Sequence, residues 1–302
     1  MRQIYKGKIT WVDIVSPDKE DIGYLQKNYH FHPLVLKEIE EPSQRNKAEI
    51  YDNYIFMVTH FPHWNPQKQT SFPLELDLII SSKALVTISC REVSEAHLEL
   101  MEKIYQRDFE KEYLSDTIKL LHFIIEHYLD FAMRQIAHIQ KKTDIIEELI
   151  FQKKQKEVIP LISLVKRDIL NFRRVFRYLK EDLSSLVRRG PRLFGEETKI
   201  YFDDLLGDSL RVENVIENFH DTLEALENTN NSFIEQKINT LSLIYTIISF
   251  IAWPTLIIIG TYQMNVRFMP ISGIPYDYWL VTGIAFLPSI LIYFYLKKKN
   301  LL

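Results

Sequence analysis

The chain has 302 residues, of which 46% are hydrophobic, and its formal net charge is −3 at pH 7. This slightly negative balance gives no support for nucleic-acid binding, so no nucleic-acid partner is expected. The single cysteine, Cys90, excludes an intramolecular disulfide and fits a reducing compartment. The length is sufficient for a soluble domain of about 100 to 200 residues together with membrane helices.

Residues 1–110 combine strand and helix patterns and are predicted to form a cytoplasmic α/β domain. A helix is expected to begin near Ser16, because serine can cap a helix and Pro17 fits its first position. The break from Ser81 to Lys83 predicts a hairpin. The predicted strands are rich in β-branched and aromatic residues and cover Ile9 to Ile14, Glu49 to Thr59, Leu74 to Ile80 and Ala84 to Ser89.

Residues 111–194 are predicted to form an antiparallel helical pair, because apolar residues recur every three or four positions. The first helix is expected from Glu112 to Phe151 and the second from Pro160 to Arg189. Gly190 and Pro191 are expected to end the second helix, since neither residue favours its continuation.

A very long helix is predicted next, because no glycine or proline interrupts the chain between Gly207 and Pro254. Apolar residues from Val212 to Leu226 follow a heptad spacing. A helix from Lys199 to Tyr262 would be about 95 Å long at 1.5 Å per residue. Residues 195–239 would then form a stalk helix that is continuous with a membrane span.

Charge is divided between these helices. The segment from Lys166 to Arg192 holds nine basic and three acidic residues, whereas Glu196 to Glu227 holds ten acidic and two basic residues. One interpretation is that the two helices pack side by side and pair their charges. The other is that part of the acidic surface binds divalent cations between subunits, since hard cations prefer carboxylate and water ligands.

Two uncharged stretches, 238–266 and 278–296, are long enough to cross about 30 Å of hydrocarbon as helices. They predict a transmembrane hairpin over 240–302 with a short loop at 263–277. Three lysines at 297–299 follow the second stretch, and lysines beside a span mark the cytoplasmic side. The first residues lack the apolar core of a signal peptide. The expected location is therefore the cell (inner) membrane, with both termini cytoplasmic and the loop external.

The first span carries polar residues that suit the lining of a pore: Asn239, Ser242, Thr246 and Ser249. The first three lie three and four positions apart and so share a helix face. Serines and threonines also serve as ordinary contacts between membrane helices, and that alternative stays open. Two helices cannot enclose water, so a conducting path would require several copies of the chain.

The first span ends in a motif of four residues: Tyr262, Gln263, Met264 and Asn265. Together with Met269-Pro270, this motif resembles the CorA family of magnesium and cobalt transporters, whose first span ends in Tyr-Gly-Met-Asn before a loop with Met-Pro-Glu. Gln263 stands in place of the family's glycine, and Ile271 in place of its glutamate. Fragments in the soluble part, in the family's order, extend the resemblance over nearly the whole chain: Trp11-Val12-Asp13-Ile14, His32 to Glu38 and Gln44 to Lys47.

The resemblance implies an α+β cytoplasmic domain with a long helical stalk continuous with the first of two transmembrane helices. It implies a membrane homo-oligomer, a pentamer, with the first spans lining the pore and the four motif residues at its entrance. It also implies a regulatory metal site at Asp204, beside Asp203, between neighbouring subunits. The loop that would supply the partner acid instead holds His60, His63 and Asn65, and imidazole ligands favour a borderline metal such as Zn²⁺, Co²⁺ or Ni²⁺.

The predicted function is therefore that of a CorA-type transporter or channel for a divalent metal cation: Mg²⁺, Co²⁺ or Ni²⁺. The divalent cation is the substrate and a candidate regulatory ligand; the lipid bilayer is the other expected partner. Two alternatives stay open, namely a zinc or other transition-metal transporter with proton coupling, and a non-conducting membrane-anchored metal sensor. An enzyme is not expected, because the sequence has no phosphate-binding glycine loop, no Cys-x-x-Cys and no His-Glu-x-x-His motif.

Overall fold

The computed structural model of the protein describes residues 2–43, 46–65, 67–68, 70–89, 93–104, 109–264, 266, 270–271 and 273–299, except for the side chains of 110 and 111. The chain divides into two compact units, Met1–Asn228 and Thr229–Leu302. The helices of the described residues are α1 Lys19–Tyr29, α2 Pro33–Glu38, α3 Glu95–Ile104, α4 Phe109–Glu112, α5 Thr117–Phe151, α6 Gln155–Phe194, α7 Lys199–Tyr262 and α8 Asp277–Lys298.

A mixed sheet organises the first unit. Its strands are β1 Arg2–Lys6, β2 Thr10–Val15, β3 Lys47–Ile50, β4 Tyr54–Asn65, β5 Thr70–Ser81 and β6 Ala84–Ser89. They lie in the order β1-β2-β6-β5-β4-β3. Only β2 and β6 are parallel, and the other neighbouring pairs are antiparallel. The hairpin predicted between β5 and β6 is confirmed, whereas β1 has no counterpart among the predicted strands.

The segment from Glu49 to Thr59, predicted as one strand, is a hairpin. β3 and β4 pair antiparallel with Ile50 opposite Ile55. Asp52 and Asn53 lie between the strands, and both residue types favour turns because their side chains can bond nearby backbone groups. The apolar pattern on both sides of this turn concealed the chain reversal.

The cap of α1 also differs from the prediction, because Asp18 rather than Ser16 occupies that position. The Asp21 N–H donates to Asp18 Oδ1 at 2.9 Å, and the Asp18 N–H donates to Asp21 Oδ2 at 3.4 Å. This reciprocal capping box satisfies two backbone donors at once. Arg2 of β1 pairs with Asp21 at 2.8 Å, which fixes the first strand beside the helix.

Helices cover the sheet. On one face Val12 and Phe56 of the strands pack with Leu25 of α1 and Val35 of α2 in a buried apolar cluster. The helices α5 and α6 contact β4 and β5. The buried carboxylate of Asp168 on α6 accepts a hydrogen bond from the Ser71 N–H of β5 at 2.8 Å. The sheet of the first unit is therefore held between helices by apolar burial and by specific polar contacts.

The expected end of the second helix of the pair at Gly190 and Pro191 is wrong, because α6 continues to Phe194. A Cβ atom on Gly190 would lie 2.5 Å from the Phe202 ring, so the glycine permits the close packing of a fully buried aromatic side chain. Pro191 lies in the last turn, where a missing backbone donor removes a single helical hydrogen bond. The glycine thus serves packing between helices rather than helix termination.

Three ion pairs join α6 to α7: Lys166–Glu227 at 3.1 Å, Arg173–Glu217 at 2.8 Å and Lys180–Glu213 at 2.9 Å. The predicted pairing of the basic and acidic helices is confirmed for these residues. Each pair is partly exposed and contributes about 0.2 to 1 kcal/mol. Residue numbers fall along α6 as they rise along α7, so the two helices are antiparallel.

The helix α7 contains 64 residues and has the bounds that the sequence predicts, Lys199 to Tyr262. Pro254 lies inside it. In the first unit the heptad seam is buried, as the low exposure of Val212, Ile216 and Leu223 demonstrates. A seam of this kind stabilises a long helix more than intrinsic helix propensity does.

A buried polar chain links β4 to α6. His60 Nδ1 lies 2.8 Å from Asn46 Oδ1, and Asn46 Nδ2 donates to Asp182 Oδ2 at 3.2 Å. His60 Nε2 lies 3.1 Å from the Ser43 carbonyl oxygen. Burial lowers the pKa of His60 and raises the pKa of Asp182 to about 7, because removal from water disfavours the charged form of each group.

We expect Asp182→Asn to remove a pH dependence from the stability of this protein. The folded pKa of Asp182, about 7, exceeds the ordinary value of 3.8, so the folded state holds the proton more tightly than the unfolded state. The resulting stabilisation is complete below the ordinary pKa and is lost as the pH rises through the folded pKa, by at most about 4 kcal/mol. The variant keeps an oxygen that can accept from Asn46.

Thermal unfolding of the full-length protein in detergent, followed by circular dichroism between about pH 5 and about pH 8, measures this difference. The wild type should lose stability relative to Asp182→Asn as the pH rises. Glu147→Gln, at an exposed position of α5, should follow the wild type. His60 gives the opposite slope below its ordinary pKa, and it does so in all three proteins. Parallel curves for wild type and Asp182→Asn would contradict the assignment.

Candidate metal-ion pathway and metal-binding residues

Two helices, α7 and α8, are long and apolar enough to cross a membrane. Large apolar side chains on both are exposed in the single chain, for example Tyr245, Trp253 and Phe294. Within a span every backbone polar group needs a partner inside the protein, which a helix supplies. These helices therefore meet the two physical requirements of a membrane span, apolar surface and internal backbone hydrogen bonding.

Three of the polar residues predicted to line a pore lie on one open groove of α7. Ser242, Thr246 and Ser249 line a groove of about 690 Å³ together with apolar neighbours. The Thr246 hydroxyl donates to the Ser242 carbonyl oxygen and the Ser249 hydroxyl donates to the Tyr245 carbonyl oxygen, each at 2.8 Å. A hydroxyl that uses its proton in this way presents only lone pairs to the groove. Such oxygens accept hydrogen bonds from the water shell of a cation.

The fourth of these residues, Asn239, borders a second groove of about 400 Å³ with Ser232, Gln236 and Glu235. Glu235 is exposed and was not singled out by the sequence patterns. The sequence could have identified it by position, because it is the last acid before the uncharged stretch. Asn239 thus adjoins polar and acidic groups, whereas Ser242 and Thr246 adjoin mainly apolar ones.

The predicted entrance begins at the end of α7. Tyr262 is the last helical residue, and its hydroxyl donates to the Pro270 carbonyl oxygen at 2.9 Å. The Gln263 N–H bonds to the Ile259 carbonyl oxygen at 3.1 Å, so glutamine at this position extends the helical hydrogen bonding. Gln263 and Met264 are exposed. Asn265, the remaining motif residue, lies outside the described residues.

The loop after the motif contains a strained residue. Ile271 has φ 72°, a left-handed conformation that is unusual for a β-branched side chain. Asp277, at the start of α8, accepts from the Gly273 N–H at 3.2 Å and from the Tyr278 N–H at 2.7 Å. Its carboxylate is therefore engaged in ordering the backbone of this loop.

The two spans are joined by reciprocal hydrogen bonds that the sequence analysis did not identify. Thr255 Oγ1 donates to the Ala285 carbonyl oxygen at 2.9 Å and lies 2.8 Å from Ser289 Oγ. Ser289 Oγ donates to the Ile251 carbonyl oxygen at 2.5 Å. Each hydroxyl residue directly follows a proline, and each acceptor belongs to the other helix. The sequence feature that could have indicated this contact is a proline followed by threonine or serine in each span.

The candidate regulatory aspartate, Asp204, is hydrogen-bonded within its own chain. His122 Nε2 lies 2.8 Å from Asp204 Oδ2, and His122 Nδ1 lies 3.6 Å from Glu126 Oε2. Asp203 is exposed beside it. His122 was not identified from the sequence, because it precedes Asp204 by 82 positions. The two acids face different nitrogens of the ring, so His122 and Asp204 together offer one imidazole and one carboxylate, ligand types that a borderline divalent cation accepts.

His63, a predicted metal ligand, lies on β4. Its ring packs edge-on against Phe72 at 5.2 Å, opposite it in the β4–β5 register. Its Nδ1 atom is buried and has no hydrogen-bond partner among the described residues. His60, the neighbouring histidine, is engaged by Asn46 and Ser43. Neither histidine belongs to a cluster of potential ligands in the described part of the chain.

One such cluster occurs in the described ranges, on the acidic part of α7: His220, Asp221 and Glu224, whose ligand atoms lie within 4.8 Å of one another. The two acids are exposed and the histidine is half-buried. The spacing of one and four residues places all three on adjoining positions of a helix. Exposed clusters of this kind also occur without a metal.

Comparisons with known proteins relate the whole chain to one group of membrane proteins. A family model described as CorA-like Mg²⁺ transporter protein matches residues 6–298. The cobalt/magnesium transport protein CorA of Thermotoga maritima is 26% identical over 96% of this chain and 83% of its own length. The magnesium transport protein CorA of Helicobacter pylori strain J99 is 21% identical over 98% of this chain and 92% of its own length.

A solved structure has the same fold. The complete structure of the CorA magnesium transporter from Methanocaldococcus jannaschii superposes with a TM-score of 0.83, at 18% sequence identity, and the match covers 98% of this chain and 92% of that one. The fold of a soluble α/β domain, a long helix and two carboxyl-terminal candidate membrane helices is thus the one expected from the sequence.

We expect the hydroxyl pair Thr255 and Ser289 to contribute coupled stability. Thr255→Val and Ser289→Ala should each destabilise the protein, by about 0.6 to 1.7 kcal/mol, the range of hydrogen bonds between membrane helices. The double variant should lose less than the sum, because both changes break one shared network.

Thermal unfolding of the full-length protein in detergent measures this cycle. Thr282→Val is a matched control, since that hydroxyl donates to the Tyr278 carbonyl oxygen of its own helix and should have little effect. Strictly additive losses at Thr255 and Ser289 would contradict the coupling.

Proposed function

We infer that this chain, which belongs to the CorA-like Mg²⁺ transporter family, carries a divalent cation, Mg²⁺ or Co²⁺, across a membrane. The comparisons do not favour the zinc-transport or sensor alternatives. The single structural observation that best supports transport is the groove of α7 with its acceptor-only hydroxyls. Mg²⁺ gives up its water reluctantly, and these oxygens suit a cation that keeps its water shell.

The path itself requires several copies of the chain. One chain supplies two spans, and two helices cannot surround a column of water. We propose a homopentamer in which the groove of each α7 faces a central pore and each α8 faces lipid. The exposed apolar side chains of α7 beside the groove would then contact neighbouring copies. The termini would be cytoplasmic and the loop at 263–277 external, in the cell membrane, because lysines at 297–299 follow α8.

The entrance would be formed by the motif from Tyr262 to Asn265. An amide side chain offers a neutral oxygen, which binds a water molecule of the hydrated ion without the cost of stripping the shell. Five copies of Asn265 would form a ring of such oxygens. The N–H of Gln263 continues the helical hydrogen bonding, and its amide side chain would add a second ring of neutral oxygens.

A regulatory cation is proposed at Asp204. Its contact with His122 supports a donor set of imidazole and carboxylate, with Asp203 nearby in sequence. When no cation is bound, the hydrogen bond from His122 would occupy the Asp204 carboxylate. Binding of a cation would replace this contact and draw on an acid of a neighbouring subunit, so that regulation and assembly are linked.

The entrance proposal predicts that Asn265→Ala abolishes uptake, because it removes the ring of side-chain oxygens. Gln263→Gly should preserve uptake and shift preference toward Mg²⁺, since glycine permits the backbone to turn and expose its carbonyl oxygen. Uptake of Mg²⁺ and Co²⁺ into proteoliposomes with an enclosed metal-sensitive dye measures both effects. Asn28→Ala, on the exposed surface of α1, is the control. Transport by Asn265→Ala with the oligomer intact would place the filter deeper in the pore.

The regulatory proposal predicts that Asp204→Ala and His122→Ala both weaken the protection that a divalent cation gives against limited proteolysis. The wild type should be cleaved more slowly with saturating Mg²⁺ or Co²⁺ than with chelator, because a bound cation holds acidic surfaces together. Asp130→Ala, at an exposed position of α5, should behave as the wild type. Unchanged protection in Asp204→Ala would mean that this acid only pairs with His122.

A further inference from the structure

The turn between α5 and α6 exposes two large apolar side chains that the core does not use. Phe151 is 68% exposed and Ile159 is 54% exposed. Their sequence neighbours Ile150 and Val158 are both fully buried and already pack this end of the helix pair. Phe151 and Ile159 therefore present more than half of their surface outside the core of the first unit.

Three exposed lysines accompany these side chains: Lys153, Lys154 and Lys156. Within the described residues none of the three forms an ion pair. Glu157 is the one acid between Phe151 and Ile159. The turn thus combines apolar and cationic groups, the combination found where proteins lie on the surface of an anionic bilayer.

The backbone conformation at Lys153 favours glycine over lysine. Lys153 has φ 61°, and its N–H bonds to the Ile150 carbonyl oxygen while the Lys154 N–H bonds to the Leu149 carbonyl oxygen, each at 3.0 Å. This is the hydrogen-bond pattern of a helix end whose left-handed residue is usually glycine. A lysine in this left-handed conformation is strained. The backbone geometry therefore does not explain why a lysine occurs here.

The ion pairs between α6 and α7 locate the turn within the first unit. From Lys180–Glu213 to Lys166–Glu227 the two helices run in opposite directions. The amino-terminal end of α6, and with it the turn, therefore lies at the end of the unit where α7 leaves it. Along the chain, Glu227 precedes the first residue of the uncharged stretch by 11 positions, and Lys166 follows the start of α6 by 11 positions.

We propose that the α5–α6 turn, Phe151 to Ile159, binds the anionic headgroups of the bilayer in which the protein is anchored. The three lysines contact phosphate oxygens, and Phe151 and Ile159 enter the boundary between headgroups and acyl chains. The occupant is lipid rather than a soluble protein, because the turn offers two separate apolar side chains with cations and not an extended apolar groove. The proposal rests on the membrane insertion contained in the proposed function.

The test uses the full-length protein in nanodiscs, in a Cys90→Ser background that leaves one introduced cysteine for an environment-sensitive fluorophore. Gln152→Cys labels the exposed turn, and Glu181→Cys labels an exposed position further along α6. Nanodiscs contain phosphatidylcholine with or without phosphatidylglycerol, and spin-labelled lipids quench any fluorophore near the bilayer. With anionic lipid, quenching at 152 should exceed quenching at 181 by at least about twofold.

Replacement of the three lysines by glutamine should reduce the quenching at 152 to the level at 181, as should high salt, because both remove the attraction to phosphate. Equal quenching at the two positions in anionic nanodiscs would overturn the proposal, since no protein other than this chain and the scaffold is present to compete. Metal uptake by the same variants, measured in proteoliposomes, tests the proposed function separately from this proposal. Quenching without uptake contradicts the proposed function alone, and uptake without quenching contradicts this proposal alone.

Discussion

The helical hydrogen bonding of α7, which resumes beyond Pro254, is the constraint on which the rest of the structure depends. A helix of 64 residues is not held by helix propensity, which favours any single turn only slightly. In the first unit its support comes from buried seam residues such as Ile216 and from the ion pairs to α6. Gly190 of α6 permits the close approach of Phe202. In the apolar part of α7 the same ladder satisfies backbone groups that lipid could not.

Hydroxyl side chains in the apolar part of the chain make two kinds of hydrogen bond. They differ in whether the acceptor carbonyl belongs to the same helix or to the opposite one. Thr246 and Ser249 donate to carbonyl oxygens of their own helix, so their lone pairs remain directed to a groove. Thr255 and Ser289 donate to carbonyl oxygens of the opposite helix and thereby join the two spans. The first arrangement leaves acceptor oxygens at the groove, where we propose that a hydrated cation passes, whereas the second joins the two helices.

The acidic residues of α7 likewise differ in their partners. Glu213, Glu217 and Glu227 are engaged by basic residues of α6, and Asp204 is engaged by His122. These contacts lower the repulsion among carboxylates on one helix without a bound cation. A cation at Asp204, as proposed, would replace the contact between Asp204 and His122 rather than fill an empty site.

The sequence by itself determined those features of this protein that depend on neighbouring residues. Heptad spacing and the stretch without glycine or proline between Gly207 and Pro254 predicted the long helix α7, and uncharged length predicted the two spans, because helix periodicity and hydrophobicity are local properties. Motif residues in the right order indicated the family. Only the tertiary structure decided the continuation of α6 through Gly190, the contact of His122 with Asp204, and the hydroxyl pair at Thr255. Each of these depends on residues far apart in the chain, and their distance in space is set by how whole elements pack, which no local pattern records.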